Sequence, residues 1–146
     1  HIFLVLFATT RRKDRFRIMT NPNEIFETFL DSLESCDINR ILQSFTEESV
    51  WQNVPHPPAV GLSEIRNTFE TIVNRSSRIK WDVVSSSFMG NRGWIERVDR
   101  FWIDGVEYAV RCNGVFDFDL EDLTIVSVRD YVDLGEWRSR LGNAKL

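Results

Sequence analysis

The sequence predicts an α+β domain: a curved, mostly antiparallel sheet with helices packed on one side, which together form a cone. Three observations predict this class. Apolar residues recur at helical spacing through much of residues 21–75, with one short strand among them. Residues 79–132 then divide into four alternating runs. The turns between those runs are so short that neighbouring strands must be antiparallel.

Residues 1–18 differ from the rest of the chain. A short apolar run comes first and a basic segment follows it, which is the reverse of the order in a secretory signal peptide, and the run is too short to cross a bilayer. Met19 stands directly before a favourable helix start. We therefore expect a single domain at residues 19–146, preceded by an extension outside the fold. The alternative is a basic arm that binds a membrane surface or serves for docking.

Three helices are predicted in the first half of the chain. Asn21 is a suitable N-cap and Pro22 suits the first turn, so the first helix begins there. Asp37 is expected to cap a second, short helix, and the third begins near Ser63. Each helix has an apolar stripe that predicts its buried face. The stripes are Ile25, Phe26, Phe29, Leu30 and Leu33, then Ile38, Ile41, Leu42 and Phe45, then Ile65, Phe69, Ile72 and Val73.

One strand is predicted between the second and third helices, and four more follow the third. The early strand, Glu48 to Val54, alternates so that Trp51 and Asn53 share a face, and prolines end it. The later runs are joined by a glycine-containing loop, by the hairpin dipeptide Asp104-Gly105 and by an acidic turn. The predicted runs are 79–89, 94–103, 106–118 and 124–132, and a short helix is expected at 134–141.

Charged residues lie on the apolar faces of two predicted strands. Arg97 and Asp99 share a face of run 94–103 with large apolar groups, and Asp130 shares a face of run 124–132 with valines. A buried, unpaired charge shifts its pKa or costs several kcal/mol, roughly, so these charges should be paired. We predict that Arg97 lies between the two carboxylates in an apolar pocket. The apolar neighbours are Ile95, Phe101 and Ile103 in the first run and Val126, Val128 and Val132 in the second.

Composition and charge disfavour several functional classes. The net charge of −4 argues against general nucleic-acid binding. The two cysteines, Cys36 and Cys112, do not have the spacing of metal ligands, and His1 and His56 cannot complete a Cys/His cluster with them. We therefore expect no metal site, and we interpret the cysteines as free thiols of a cytoplasmic protein.

Three segments together resemble the limonene-1,2-epoxide hydrolase family, a branch of the nuclear-transport-factor-2-like (SnoaL-like) superfamily with its cone fold. Each segment is weakly specific alone, whereas their combination at this spacing is fairly specific. The likeness extends over about residues 20–140. The segments are Val50-Trp-Gln-Asn-Val-Pro-His-Pro-Pro58 with Gly61 after it, Glu96-Arg-Val-Asp-Arg-Phe101, and Val128-Arg-Asp-Tyr-Val-Asp-Leu134.

The resemblance implies catalytic roles for five residues. Asp130 matches the carboxylate that takes a proton from the attacking water, Asp99 the acid that protonates the epoxide oxygen, and Arg97 the residue that bridges them. Asn53 matches a residue that positions the water. Trp51 stands where the family has a tyrosine that also holds this water. Because an indole N–H donates but cannot accept, the change should affect water positioning, and Trp51→Tyr is then expected to raise activity.

The resemblance therefore implies a cofactor-independent epoxide hydrolase that adds water to a small apolar epoxide in one step and releases a vicinal diol. General acid–base chemistry supports these roles independently, because two neighbouring carboxyls raise the pKa of one and an arginine stabilises the other as an anion. The resemblance also implies a homodimer, and we expect no nucleic-acid or membrane partner. The expected substrate-binding residues are Ile95, Phe101, Val110, Cys112, Phe116, Val128 and Phe69.

Other functions remain open. The same cone could carry a ketosteroid-isomerase-like or polyketide-cyclase-like enzyme, or a non-catalytic module that binds a small ligand. An isomerase needs a tyrosine as oxyanion donor, and strand alternation directs Tyr131 away from the face of Asp130. For a non-catalytic module, the charged groups would be only a buried structural ion network.

Overall fold

The computed structural model describes residues 21–146, so the expected extension at residues 1–18 and the expected start at Met19 lie outside the described residues. The described part contains four α-helices, a short 3-10 helix and six strands. The helices are α1 (Pro22–Glu34), α2 (Ile38–Leu42), α3 (Gly61–Arg75) and α4 (Leu134–Leu141), and Gly142–Ala144 forms the 3-10 helix. The strands are β1 (Val50–Val54), β2 (Ala59–Val60), β3 (Arg78–Met89), β4 (Arg92–Ile103), β5 (Val106–Asp119) and β6 (Thr124–Val132).

The six strands form one curved, mixed sheet in the order β2–β1–β6–β5–β4–β3. Strands β3 to β6 are an antiparallel meander, and β1 pairs with β6 in parallel. A parallel pair needs a long crossover, which the chain from β2 through β5 provides. The predicted α+β class with a mostly antiparallel sheet and packed helices is confirmed. The β1–β6 pairing, which the sequence did not predict, sets Asn53 opposite Asp130.

The helix starts follow from their capping residues. The Asn21 side chain accepts a hydrogen bond from the Asn23 N–H over 2.9 Å, and Asp37 accepts from the Asn39 N–H over 2.9 Å. Helix α3 begins at Gly61, slightly before the expected Ser63. The predicted apolar stripes lie in the hydrophobic core, with Leu30 packed against it, so these faces attach the helices to the sheet.

A bulge in the β5–β6 pairing changes the predicted face of one valine. Ser127 and Ile125 pair with consecutive residues of β5, so Val126 between them has no partner in the sheet register. Val126 is 43% exposed. The prediction that Val126 shares the inner face with Val128 is therefore wrong, because the extra residue of a bulge interrupts the alternation of side chains.

None of the helices in residues 21–146 is both long and apolar enough to span a membrane. Both cysteines are free thiols. The cytoplasmic location and the homodimer that we expected from the sequence stay predictions.

Candidate active site

Arg97 lies between Asp99 and Asp130 inside the domain. Its Nε and Nη2 donate to the two oxygens of Asp99 over 2.7 and 3.2 Å. Its Nη1 and Nη2 donate to the two oxygens of Asp130 over 3.0 and 2.6 Å. The side chains of Arg97, Asp99 and Asp130 are 0%, 6% and 5% exposed. This is the paired arrangement that the strand pattern predicted, and we call it the buried triad; the catalytic roles of its members stay predictions.

Gly114 makes the bridge across the sheet possible. It lies on β5, between β4 and β6, and pairs with Ile95 on one side and Asp130 on the other. A Cβ atom at this position would lie 2.5 Å from Asp130 Oδ1 and 2.7 Å from Arg97 Nη1, so any larger residue would displace the ion pair. Gly114 was not among the predicted site residues, although a glycine inside a strand is a signal of close backbone approach.

Trp81 supports the triad from β3. It pairs with Asp99 in the sheet, and its ring centroid lies 3.9 Å from Arg97 Cζ, in cation–π geometry. Its indole Nε1 is buried and has no hydrogen-bond partner among the described residues. Trp81 was not among the predicted site residues, since a tryptophan on an inward strand face usually indicates ordinary core.

Burial determines the protonation of this site. The pKa of Asp99 is raised to about 7, first by burial and then by the negative charge of Asp130, against the opposing effect of Arg97. Burial alone would lower the pKa of Arg97, but the two carboxylates raise it, so Arg97 stays charged. The pKa of Cys112 is raised, chiefly by burial, and its thiol donates a hydrogen bond to Asp130.

Trp51 and Asn53 share a face of β1, as predicted, and contact each other. The Trp51 Nε1–H donates to Asn53 Oδ1 over 3.1 Å. The Trp51 side chain is 3% exposed and lies in a cage of aromatic rings. The rings with centroids within 6.3 Å of its own belong to Phe29, Phe45, Phe69, Trp81 and Phe116.

A cavity of about 270 Å³ opens beside the triad. Its wall combines Asp99, Asp130 and Asn53 with mostly apolar groups from β1, α3, β3, β5, β6 and α4, as expected for a small-molecule site. Within the described residues, no group of three His, Cys, Asp or Glu side chains is placed to hold a metal ion. The lining residues are Trp51, Asn53, His56, Thr68, Phe69, Ile72, Trp81, Asp99, Cys112, Asp130, Val132, Leu134, Trp137 and Arg138.

Two of the seven predicted substrate-binding residues, Phe69 and Cys112, line this cavity. The other five lie in the hydrophobic core and not in the cavity wall, and their role in substrate binding stays a prediction. Strand alternation shows that a side chain faces inward, but it does not show which other groups cover that side chain. Here the Phe116 ring packs against Phe26 at a centroid distance of 5.2 Å, and the Phe101 ring packs against Trp137 at 6.1 Å. The five core residues are Ile95, Phe101, Val110, Phe116 and Val128, each at most 4% exposed.

Comparisons with known proteins agree with the fold. The SnoaL-like domain family matches residues 26–128. A protein described as a SnoaL-like polyketide cyclase, from Shewanella denitrificans OS-217, has 11% identity and a TM-score of 0.72, over 84% of this chain and 97% of that one. An LEH-like epoxide hydrolase from M. tuberculosis has 22% identity and a TM-score of 0.64, over 85% and 91%. The epoxide hydrolase/cyclase-like enzyme SalBIII of salinomycin pyran-ring formation has 18% identity and a TM-score of 0.67, over 79% and 92%.

Proposed function

We propose that this chain, which belongs to the family of SnoaL-like domains, is an epoxide hydrolase that adds water to a small, mostly apolar epoxide and releases a vicinal diol without a cofactor. The observation that carries the proposal is the buried triad. One arginine holds two carboxyl groups at the wall of an apolar cavity, and one of these groups, Asp99, has a pKa of about 7.

Asp99 is the proposed general acid. With a pKa of about 7, it is protonated in a large share of molecules at neutral pH, whereas an ordinary aspartate is not. Opening of the epoxide ring moves negative charge onto the oxygen, and the Asp99 proton neutralises it. The cavity beside Asp99 is lined mostly by apolar side chains, which favour binding of an apolar ring over charged molecules.

Asp130 is the proposed general base. Its carboxylate accepts a proton from water while the water oxygen attacks an epoxide carbon and the carbon–oxygen bond of the ring breaks. The proton of Asp99 then resides on the new hydroxyl, so the products are a neutral diol, a protonated Asp130 and an ionised Asp99. Each proton-transfer partner contributes typically about 10²–10⁴-fold to the rate.

Arg97 is placed to pair with whichever of the two carboxyl groups is ionised during this exchange. Before the reaction the anion is Asp130, and afterwards it is Asp99; Arg97 donates two hydrogen bonds to each. Because the cation contacts both positions, neither anion is left unpaired in the interior, where an isolated charge would be costly. Transfer of one proton from Asp130 to Asp99 through solvent restores the starting state.

An isomerase reaction is less well supported. Neither Tyr108 nor Tyr131 is among the described residues that line the cavity, and Tyr131 is exposed. The site therefore lacks the tyrosine hydroxyl that such a reaction uses as an oxyanion donor.

Ring closure is the second candidate. One structurally similar protein is described as epoxide hydrolase/cyclase-like, and a hydroxyl of the substrate could replace water at Asp130. The same acid and base would then make a cyclic ether.

The test is diol formation from limonene oxide and cyclohexene oxide in ¹⁸O-labelled water, with EDTA present. Hydrolysis predicts one ¹⁸O atom in each diol and loss of turnover in Asp130→Asn. Absence of turnover on these epoxides and on other small epoxides would refute the hydrolase function. Cyclic ether formed without label from a hydroxy-epoxide would favour the second candidate.

A further inference from the structure

We propose that Trp51 is a positioning residue that acts on the attacking water through Asn53 rather than by direct contact. The inference rests on the proposed hydrolase function and adds to it that Trp51 must hold the Asn53 amide in one orientation. From the sequence, the loss of a tyrosine hydroxyl at Trp51 should affect the positioning of the water. In the structure, Trp51 instead donates a hydrogen bond to Asn53, which can position the water in its place.

The contact determines which way the Asn53 amide faces. An indole N–H can only donate, so the atom that lies 3.1 Å from Trp51 Nε1 must be the amide oxygen of Asn53. The Asn53 Nδ2 group is therefore turned away from Trp51. No described acceptor is hydrogen-bonded to it, and Asn53 lines the cavity, so this N–H₂ group is available to a molecule bound there.

The sheet register brings that group close to the proposed base. Asn53 and Asp130 are direct partners in the parallel pairing of β1 with β6, and both side chains line the cavity. A water between them accepts from Asn53 Nδ2–H and donates to the Asp130 carboxylate. This uses one lone pair and one hydrogen of the water, and it leaves the second lone pair to attack the epoxide carbon.

Trp51 is suited to hold the amide because its own position is fixed. Its side chain is 3% exposed, and its ring makes an edge contact with Phe69 at a centroid distance of 4.7 Å. The terminal torsion of asparagine is broad, so without a hydrogen-bond partner the amide samples several orientations. With the Trp51 N–H in place, the orientation that presents N–H₂ to the water is stabilised.

A double-mutant cycle tests the inference. Trp51→Phe keeps an aromatic ring and removes the donor, whereas Trp51→Tyr introduces a hydroxyl that could hold water itself. We expect Trp51→Phe to lower kcat about tenfold, the effect of about one hydrogen bond, with KM changed less than about twofold. Asn53→Ala should lower kcat more, and adding Trp51→Phe to Asn53→Ala should lower it no further. Trp94→Phe, on the exposed outer face of β4, is the matched control.

A spectroscopic readout separates this role from simple packing. The indole ¹⁵N–¹H signal that disappears in Trp51→Phe should shift upfield in Asn53→Ala, because the hydrogen bond is lost. In Asn53→Asp it should stay downfield, because an acceptor remains, while kcat still falls because the N–H₂ group is gone. An unmoved signal in Asn53→Ala would overturn the inference.

The remaining outcomes are distinct. If the wild-type chain turns over an epoxide and the losses of the two single variants multiply in the double variant, Trp51 acts independently of Asn53, and the inference is wrong while the hydrolase function stands. If the wild-type chain turns over no epoxide, the hydrolase function and the inference are both wrong.

Discussion

Two arginines of β4, three residues apart, each hold two carboxylates, and they do so on opposite faces of the sheet. Arg100, Asp82 and Glu107 form the second group, which we call the surface triad. Its hydrogen bonds are as short as those of the buried triad: Arg100 Nε lies 2.6 Å from Asp82 Oδ2, and Arg100 Nη1 lies 2.6 Å from Glu107 Oε1. The two triads differ in their exposure to water. The side chains of the surface triad are 32–42% exposed, and those of the buried triad are at most 6% exposed.

Burial, not the arginine, decides the direction of the pKa shift, because each arginine lowers the pKa of its carboxylate. On the surface, the hydrogen bond from Arg100 lowers the pKa of Asp82. In the interior, burial outweighs the charge and the hydrogen bonds of Arg97 and raises the pKa of Asp99 to about 7. The same residue types therefore produce an ordinary ion pair on one face and a potential acid at neutral pH on the other.

The largest expected difference between the triads is catalytic. Asp130→Asn removes the proposed base and should lower kcat by about 10²–10⁴-fold with the fold intact. The matched outer variant Asp82→Asn should change kcat less than about twofold. The measurement is steady-state hydrolysis of cyclohexene oxide, with circular dichroism to verify folding. Full activity in Asp130→Asn would contradict its role as base.

The second difference is in how stability depends on pH. The pKa of Asp99 is raised from 3.8 to about 7 on folding, so the native state binds a proton more tightly than the unfolded state does. The stability contributed by this proton is fully present below about pH 4 and is lost as pH rises through 7; the loss reaches at most about 4 kcal/mol.

Urea unfolding between pH 4 and 8 measures this loss. The wild-type chain should lose stability over that interval relative to Asp99→Asn, whose curve should be flatter. Parallel curves for the two proteins would show that Asp99 has no raised pKa. Asp82 should show the opposite pH dependence, because its pKa is lowered on folding. Its ionised form stabilises the fold at pH values above the ordinary aspartate pKa, and this stability is lost as the pH becomes acidic.

A smaller effect is expected from Gly114→Ala, which crowds the buried triad and the neighbouring Phe116 ring. The added methyl group would meet Asp130 Oδ1 and Arg97 Nη1, so the ion pair must open or the strand must shift. Overpacking of this kind typically costs about 1–3 kcal/mol. We also expect kcat to fall. A variant with unchanged stability and kcat, measured by thermal unfolding and hydrolysis, would mean that the triad has more room than its distances indicate.

The smallest effect should come from Arg100→Gln in the surface triad. Exposed ion pairs contribute about 0–1 kcal/mol and are screened by salt. Thermal unfolding at low and high ionic strength should show a loss that shrinks as salt is added, with kcat unchanged. A loss of several kcal/mol, about what removing a buried partner costs, would remove the contrast between the two faces.

Much of the inner face of β4 could be predicted because alternation is local: residues two apart in a strand point the same way whatever the rest of the chain does. This placed Arg97 beside Asp99, and the rule that buried charges pair indicated a carboxylate partner on another strand. The capping of α1 and α2 and the turn between β4 and β5 were likewise local, and the structure agrees with them.

The wall of the cavity could not be predicted in the same way. Phe116 and Ile95 face inward like Asp99, yet helices and other aromatic side chains cover them. Trp137 and Arg138, from the C-terminal helix α4, line the cavity although nothing local marks them as site residues. Gly114 matters only because Arg97 reaches across β5 to Asp130, which depends on the order of three strands.

The sequence by itself determined most of the side chains that face the interior and which charges there must meet, because strand period and the cost of an unpaired charge act over a few residues; Val126, at a bulge, is the exception. Only the tertiary structure decided which inward groups meet a cavity and which meet another side chain. That outcome depends on segments far apart in the chain, since β1 pairs with β6 and α4 packs over the same face. The Trp51–Asn53 contact lies between the two: its residues share a face by alternation, but its proximity to Asp130 comes from that distant pairing.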